Sequence, residues 1–301
     1  MKREQVNKRL TGILLCLMLV LAVFPVPAHA DTGPKPSVQV TFENMDDEVC
    51  YGTLLSKTSS TGPAHAWNGN EDDIGMVGLE DTEEGRRVWQ AFVDYQDTDG
   101  FYFLQWAWRC DETKSLSWGY YPPQTFKILL YYPESGAFVV SDICERYAFD
   151  SYFTVDVAQA QLLAEPTITA QRSYHYSREV AGLMVRVILT VLVELGVAWL
   201  FGLRKREWLV LIIATNVVTQ VAFNVILNVI YNAQGPWAEI YYNVLLEPVI
   251  FAVEALVYCL LLKRLGGEKL SRRKIILYAL AANICSFAVG LLLARVIPFA
   301  F

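Results

Sequence analysis

The side chains best placed to do chemistry lie inside long apolar stretches in the last third of this chain. Glu194, Glu247 and Glu254 each sit in such a stretch, and Arg186 is a fourth ionisable group of this kind. A charge inside a membrane helix is expensive unless it is neutralised, paired or hydrated, so such residues are candidates for function.

A series of amides runs through the second apolar stretch. Asn216, Gln220, Asn224 and Asn228 follow one another at intervals of four residues. Because four residues are slightly more than one helical turn, these amides form one slowly wrapping stripe on a helix. Lipid cannot satisfy an amide, so the stripe must face protein or a water-filled cavity. Asn283 is a further amide in the last stretch.

Four apolar stretches are long enough to cross a bilayer, which takes about 20 residues per helix. They predict an all-α four-helix transmembrane domain over residues 179–301. The helices are expected at about 179–202, 207–231, 239–262 and 274–297.

Counting about 1.5 Å per residue from the predicted membrane faces puts Glu194, Asn216, Glu254 and Asn283 at a similar depth. Three interpretations of this polar layer stay open. The carboxyl groups can hold the helices together with the amides and Arg186. They can instead bind a cation, a proton or a small solute on a transport path. In the third interpretation, the bundle transmits ligand binding or docks another membrane protein.

Residues 1–30 have the three parts of a secretory signal peptide. Basic residues open the chain, an apolar core covers 10–24, and Ala28 and Ala30 mark a cleavage site. An uncleaved signal anchor is the alternative.

The charges of the loops predict the orientation of the helices. Lysine and arginine cluster at 204–206 and again between 263 and 274, and such clusters stay in the cytoplasm. We therefore expect a multi-pass protein of the cell membrane with residues 31–178 and the C-terminus on the extracytoplasmic side.

Residues 31–157 predict a β-rich domain. Apolar and polar residues alternate over Ser37–Met45, as in a half-buried strand, and an acidic turn predicts a hairpin with Val49–Leu55. A helix is expected to begin at Asp81. Further strands are expected at 101–110, 115–121, 126–132, 137–141 and 152–157.

Several short strands with one helix predict an α+β extracytoplasmic domain that is β-sandwich-like. Residues 158–178 are interpreted as a linker, with a final packed segment as the alternative.

Aromatic residues of this domain could stack on a ligand. They are Trp67, Trp106, Trp108, Trp118, Tyr120 and Tyr121. Alternation puts Trp106 and Trp108 on a core face, so Trp67, in a polar loop, is the better candidate for ligand contact.

Three aspartates before Gly100 resemble part of a calcium loop. Their spacing does not fit an EF-hand, and a polar turn between a helix and a strand explains Asp94, Asp97 and Asp99 equally well. The chain has only three histidines and no Cys/His cluster. We therefore predict neither a metal nor another cofactor.

Charge and cysteine content narrow the class of protein further. The formal net charge of −6 argues against a nucleic acid partner, which would require a basic face. Cys50, Cys110 and Cys144 allow one disulfide and a free thiol, but the sequence does not choose the pair. No nucleophile motif with a base is present, so an enzyme is not predicted.

Four runs in the β-rich region carry a resemblance: Cys50–Ser56, Val88–Asp97, Phe126–Tyr132 and Glu145–Phe153. They resemble an uncharacterised group of bacterial membrane proteins. The resemblance implies a secreted β-rich domain joined to a four-helix membrane block, and it implies no activity and no functional residue.

We therefore expect an integral membrane protein whose extracytoplasmic domain recognises a ligand, an envelope component or a protein. The helix bundle would anchor it in the lipid bilayer or relay a signal, and a relay through short loops requires a membrane or envelope protein partner. The alternative is a small-solute or ion transporter or channel component that uses Glu194, Glu247 and Glu254. A bundle this small can require a homo-oligomer to form a pathway.

Overall fold

The computed structural model describes residues 33–158, 167–174, 176–266 and 270–294. The predicted signal peptide at 1–30 and the end of the last predicted helix lie outside these residues. The described chain is a β-rich region with one helix, followed by four long helices. This layout fits the predicted order of an α+β region and a helical region.

Two larger sheets and one small hairpin make up the β-rich region. Their described strands are β1 (Ser37–Glu43), β2 (Tyr51–Ser56), β3 (Ser60–Thr61), β4 (Ala64–His65), β5 (Tyr102–Phe103), β6 (Trp108–Arg109), β7 (Ser115–Trp118), β8 (Thr125–Tyr132), β9 (Ala137–Ser141), β10 (Cys144–Glu145), β11 (Asp150–Asp156), β12 (Thr167–Ile168) and β13 (Ala170–Arg172). The smaller sheet has the order β13-β11-β1-β7. The larger has the order β12-β9-β8-β2-β5, with β10 paired to β8 and β6 paired to β2.

The predicted hairpin of Ser37–Met45 with Val49–Leu55 is wrong. β1 runs parallel to β11 and antiparallel to β7, whereas β2 lies in the other sheet. The burial patterns give the reason. β1 alternates between buried and exposed residues, but all six residues of β2 are buried, as in a central strand that is covered on both faces.

Buried side chains from both sheets form one hydrophobic cluster. The smaller sheet contributes Val40, Trp118 and Phe153, and the larger contributes Leu54 and Ile128. Burial of these large apolar groups is the main favourable contribution to the stability of this region.

A helix, α1 (Glu83–Asp94), packs its apolar stripe on a second set of residues from the larger sheet. Val88 and Phe92 contact a cluster that includes Leu55 and Leu129. The helix begins at Glu83, two residues after Asp81, because Thr82 is the capping residue: its hydroxyl accepts the capping hydrogen bond from the Gly85 N–H at 3.1 Å.

The continuous strand predicted at 101–110 is wrong. It divides into β5 and β6 because Gln105 adopts a left-handed conformation, with φ at 59°. The Gln105 side chain accepts a hydrogen bond from the Gly75 N–H and donates one to the His65 carbonyl. These bonds hold the side chain inside, so Gln105 is 1% exposed.

The segment interpreted as a linker at 158–178 contains β12 and β13, which pair with β9 and β11. The alternative of a final packed segment therefore describes residues 167–172. The gap at 159–166 lies outside the described residues.

The long helices are α2 (Tyr176–Leu200), α3 (Arg206–Gln234), α4 (Pro236–Gly266) and α5 (Arg272–Ala294). Each is long and apolar enough to cross a membrane. α4 continues through Pro248, and only Gly235 separates it from α3.

Each long helix also leaves large apolar side chains exposed. Examples are Leu192, Val218, Leu256 and Leu277, which are between 57% and 68% exposed. Faces of this kind are normal for helices whose solvent is lipid tails rather than water.

Candidate functional site

Side chains from all four long helices meet in one largely buried group, which we call the polar cluster; Asn283 is its half-buried member. Its members are Glu194 on α2, Asn216 and Thr219 on α3, Glu254 and Tyr258 on α4, and Tyr278 and Asn283 on α5.

Glu194 is the centre of one half of the polar cluster. One of its oxygens accepts a hydrogen bond from Asn216 Nδ2 at 2.5 Å. The hydroxyl groups of Tyr258 and Tyr278 each donate to the same oxygen at 3.4 Å. The Asn216 amide also bonds to the Tyr258 hydroxyl at 3.0 Å. This half therefore joins all four helices through a single carboxyl group.

Glu254 is the centre of the other half. The Thr219 hydroxyl donates to one of its oxygens at 2.7 Å, and Asn283 Nδ2 donates to the other at 2.8 Å. The second hydrogen of Asn283 Nδ2 donates to the Ala279 carbonyl of its own helix at 3.0 Å, which orients the amide toward Glu254. The Thr219 hydroxyl also lies 3.0 Å from the Thr215 carbonyl, but its single hydrogen can serve only one of the two acceptors at a time. This half joins α4 to α3 and α5.

The polar cluster is closed to the surroundings of the bundle. Glu194 is 1% exposed, and Asn216 and Glu254 are 0% exposed. A buried polar group is stabilising only when it is hydrogen-bonded, and both carboxyl groups meet that condition. Asn216 Oδ1 is buried without a hydrogen-bond partner, so the cluster keeps one spare acceptor.

Three members of the polar cluster are not found from the sequence pattern. Thr219, Tyr258 and Tyr278 resemble ordinary helix and membrane residues. The sequence spacing could have indicated Tyr258, because it follows Glu254 by four residues and therefore lies on the same face of the helix.

The rest of the predicted amide stripe does not join helices in the same way. Gln220, Asn224 and Asn228 are half-buried. Asn224 donates to the Gln220 carbonyl at 2.8 Å, and Asn228 accepts from Asn232 at 3.0 Å, all within α3. Glu247, also half-buried, takes no part in the bonds of the polar cluster.

Arg186 lies apart from the polar cluster, beside a cavity at the other end of the bundle. That cavity is also lined by Asn224, Asn228 and Asn232. The predicted polar residues thus fall into two groups at two levels of the helices.

The β-rich region contacts the bundle at a site that we call the junction: Phe149, Asp150, Tyr231, Asn232 and Gly235. The Tyr231 hydroxyl donates to Asp150 at 2.8 Å, and the Phe149 N–H donates to the Asn232 carbonyl at 2.8 Å. Gly235 has a φ of 86°, and a Cβ there would overlap the Phe149 ring. The junction therefore requires glycine at this position.

Trp67 borders a cavity of about 330 Å³ in the β-rich region, which we call the aromatic cleft. Tyr95, Phe101 and Tyr102 also line it. The Trp67 ring packs edge-on against Trp89, with ring centroids 5.1 Å apart. Trp106 stacks instead on the fully buried Trp118 at 5.1 Å, against the core.

Two of the three aspartates of the suspected calcium loop bind a lysine, and the third, Asp94, accepts a hydrogen bond from Gln90 on the same helix. Lys127 Nζ lies 2.7 Å from Asp97 and 2.6 Å from Asp99. Burial alone would lower the pKa of Lys127, but its hydrogen bonds to these two carboxylates outweigh burial and raise it. The same hydrogen bond lowers the pKa of Asp99. Lys127 on β8 thus forms structural ion pairs with both Asp97 and Asp99.

No protein-family model, curated protein or solved structure matches this chain.

Proposed function

We propose that this chain is a multi-pass membrane protein that recognises a ligand with its β-rich region and is anchored by its four long helices. In this proposal the β-rich region lies outside the cell membrane, because basic residues cluster at 204–206 and between 263 and 274. The protein is not an enzyme, and its ligand is an envelope component with a flat face, such as a saccharide.

The aromatic cleft carries the proposal. Its volume lies within the range of small-molecule sites, and aromatic rings line it. The oxygens of Asp97, which also borders it, are already engaged by Lys127 and by backbone N–H groups. The cleft therefore offers aromatic rings and the Gln96 side chain to a ligand rather than a charge, which favours stacking over ionic recognition.

The junction supports a role of the helices beyond anchoring. Asp150 begins β11 and accepts hydrogen bonds from both Ser37 on β1 and Tyr231 on α3. A shift of these strands on ligand binding would therefore reach α3 directly. A signal that leaves the bundle would need a membrane protein partner, because the loops between the helices are short.

Transport through the bundle is the second candidate function. The observation that favours it is the presence of two carboxyl groups, Glu194 and Glu254, in one polar cluster of candidate membrane helices. We rank it second because both carboxyl groups are at most 1% exposed and accept hydrogen bonds from neighbouring helices, as expected of interhelical contacts. Proton or cation flux in proteoliposomes that is abolished by Glu254→Gln would reverse this ranking.

Binding of soluble cell-wall saccharide fragments to the full chain in detergent micelles tests the first proposal. Trp67→Ala should weaken binding at least about tenfold, as loss of a central aromatic contact does. Trp237→Ala, which removes an exposed tryptophan at the start of α4, is the matched control and should bind normally. Equal binding by the Trp67 variant, or no binding by the wild type, would refute the proposal.

A further inference from the structure

The cavity beside Arg186 described above has a volume of about 400 Å³ and lies between the β-rich region and the bundle. We call it the junction cavity. Tyr147 and Ala148 line it from the β-rich region, and it continues between α2 and α3. It is separate from the aromatic cleft, whose lining residues all lie between 66 and 103.

Arg186 supplies the strongest polar feature of the junction cavity. Its Nε–H is buried and has no hydrogen-bond partner. A buried donor without an acceptor is unfavourable, so the site is incomplete as the chain stands alone. An arginine donor pairs best with a carboxylate or phosphate oxygen.

Two glutamates lie within electrostatic range of Arg186: Glu179, which also lines the cavity, and Glu239 on α4. A ligand that brought only negative charge would be repelled by these two carboxylates. A zwitterionic ligand fits better, since its phosphate can reach Arg186 while its cation lies near Glu179.

The apolar residues that line the cavity indicate that the ligand also has an apolar part. Val180, Val225 and Val229 line the cavity and are between 52% and 62% exposed. From Tyr176 to Arg186 the cavity follows α2 for ten residues, about 15 Å along the helix. A ligand here must therefore combine a charged head with an apolar part that lies along the outer face of the helices.

We propose that the junction cavity binds a zwitterionic membrane phospholipid with an ammonium headgroup. A phosphate oxygen of the lipid accepts the hydrogen bond of Arg186 Nε, and the ammonium group faces Glu179 and the valines nearer the end of α2. An acyl chain continues past Arg186 along the exposed apolar face of α2, which includes Ile188 and Leu192. The inference requires the long helices to lie in a membrane but not that the aromatic cleft binds a ligand.

Native mass spectrometry of the full chain in detergent tests the proposal, with phosphatidylethanolamine, phosphatidylglycerol, diacylglycerol and inorganic phosphate as separate probes. Phosphatidylethanolamine should give the most persistent adduct. Arg186→Met should reduce that adduct at least about tenfold, because it keeps an unbranched apolar stem and removes the charge-assisted hydrogen bond. Arg178→Met, on the first turn of the same helix, should bind as the wild type does.

A second variant protects the test if Arg186→Met does not fold. Val229→Trp fills the apolar side of the cavity without changing a charge and should also lose the adduct. Trp67→Ala should keep it, so that failure of the aromatic cleft and failure of this site are distinguishable. Equal retention of diacylglycerol, tighter binding of phosphatidylglycerol, displacement of lipid by inorganic phosphate, or an unchanged adduct in a folded Arg186 variant would each overturn the proposal.

Discussion

The hydroxyl of Tyr231 on α3 donates a 2.8 Å hydrogen bond to Asp150, the first residue of β11. The other oxygen of Asp150 accepts a 2.6 Å bond from Ser37, the first residue of β1. One carboxylate thus ties the end of a membrane-type helix to two parallel strands of the smaller sheet. The junction is therefore a direct hydrogen-bonded contact between the smaller sheet and α3.

Tyr231→Phe should loosen the junction without unfolding either side. The change removes the bond to Asp150 and should lower the stability of this contact by about 1–3 kcal/mol, since the carboxylate is left partly buried with one partner fewer. Faster hydrogen–deuterium exchange at the start of β11 is the expected result. Tyr241→Phe, an exposed tyrosine on α4, should leave that exchange unchanged. Unchanged exchange in both variants would show that the contact contributes nothing.

Asp111 should make the β-rich region sensitive to acid. Burial would raise the pKa of this carboxyl, but hydrogen bonds from Arg109 and from backbone N–H groups outweigh burial and lower it. An aspartate in an unfolded chain has a pKa of about 3.9. Because the folded-state pKa lies lower, the stabilisation is fully present above about pH 4 and is lost as the pH falls through the folded-state pKa.

The comparison of wild type with Asp111→Asn checks this sign. The variant should be less stable at neutral pH, and the difference should shrink as the pH is lowered from about 4 toward 2. Thermal unfolding of the full chain in detergent measures this difference in stability. Glu43→Gln, which changes an exposed carboxyl group on β1, is the control. A difference that stays constant or grows on acidification would contradict the assignment.

The three cysteines of the β-rich region should be unreactive thiols. Cys50, Cys110 and Cys144 are buried and free. Burial raises the pKa of Cys50 to about 12 and of Cys144 to about 11, and it raises the pKa of Cys110 as well. The reactive thiolate is therefore scarce near neutral pH.

Mass spectrometry after brief treatment with iodoacetamide at pH 8 should find these three cysteines unmodified in the folded chain and modified after denaturation. A Ser59→Cys variant supplies an exposed thiol that should react in both states. A pair of cysteines that fails to react even after denaturation would instead reveal a disulfide.

The contacts within the helical part follow the sequence pattern closely. Apolar length predicts the helices, and the scarcity of partners in lipid predicts that Glu194, Asn216 and Glu254 turn inward, where the structure has them. The tyrosines of the polar cluster are not predicted, because the sequence of a membrane helix does not show which residue of a neighbouring helix its tyrosine will contact.

In the β-rich region the sequence predicts strand positions better than strand pairing. Strand positions such as Ala137–Ser141 follow from alternation, and β9 has these bounds. Pairing does not follow, because β1 finds its parallel partner β11 more than 100 residues later in the chain. The break at Gln105 depends on hydrogen bonds to Gly75 and His65, which local sequence does not reveal.

The central claim is that buried carboxyl and amide groups hold the long helices together as an anchor. A double-mutant cycle of Glu194→Ala and Asn216→Ala, with unfolding of the full chain in mixed micelles, tests it most directly. We predict a coupling free energy of about 0.6–1.7 kcal/mol between these two residues, as for other hydrogen bonds between membrane helices. The control cycle of Glu194→Ala with Asn224→Ala should give about zero, because distant sites are additive. Equal coupling in the two cycles would contradict the account.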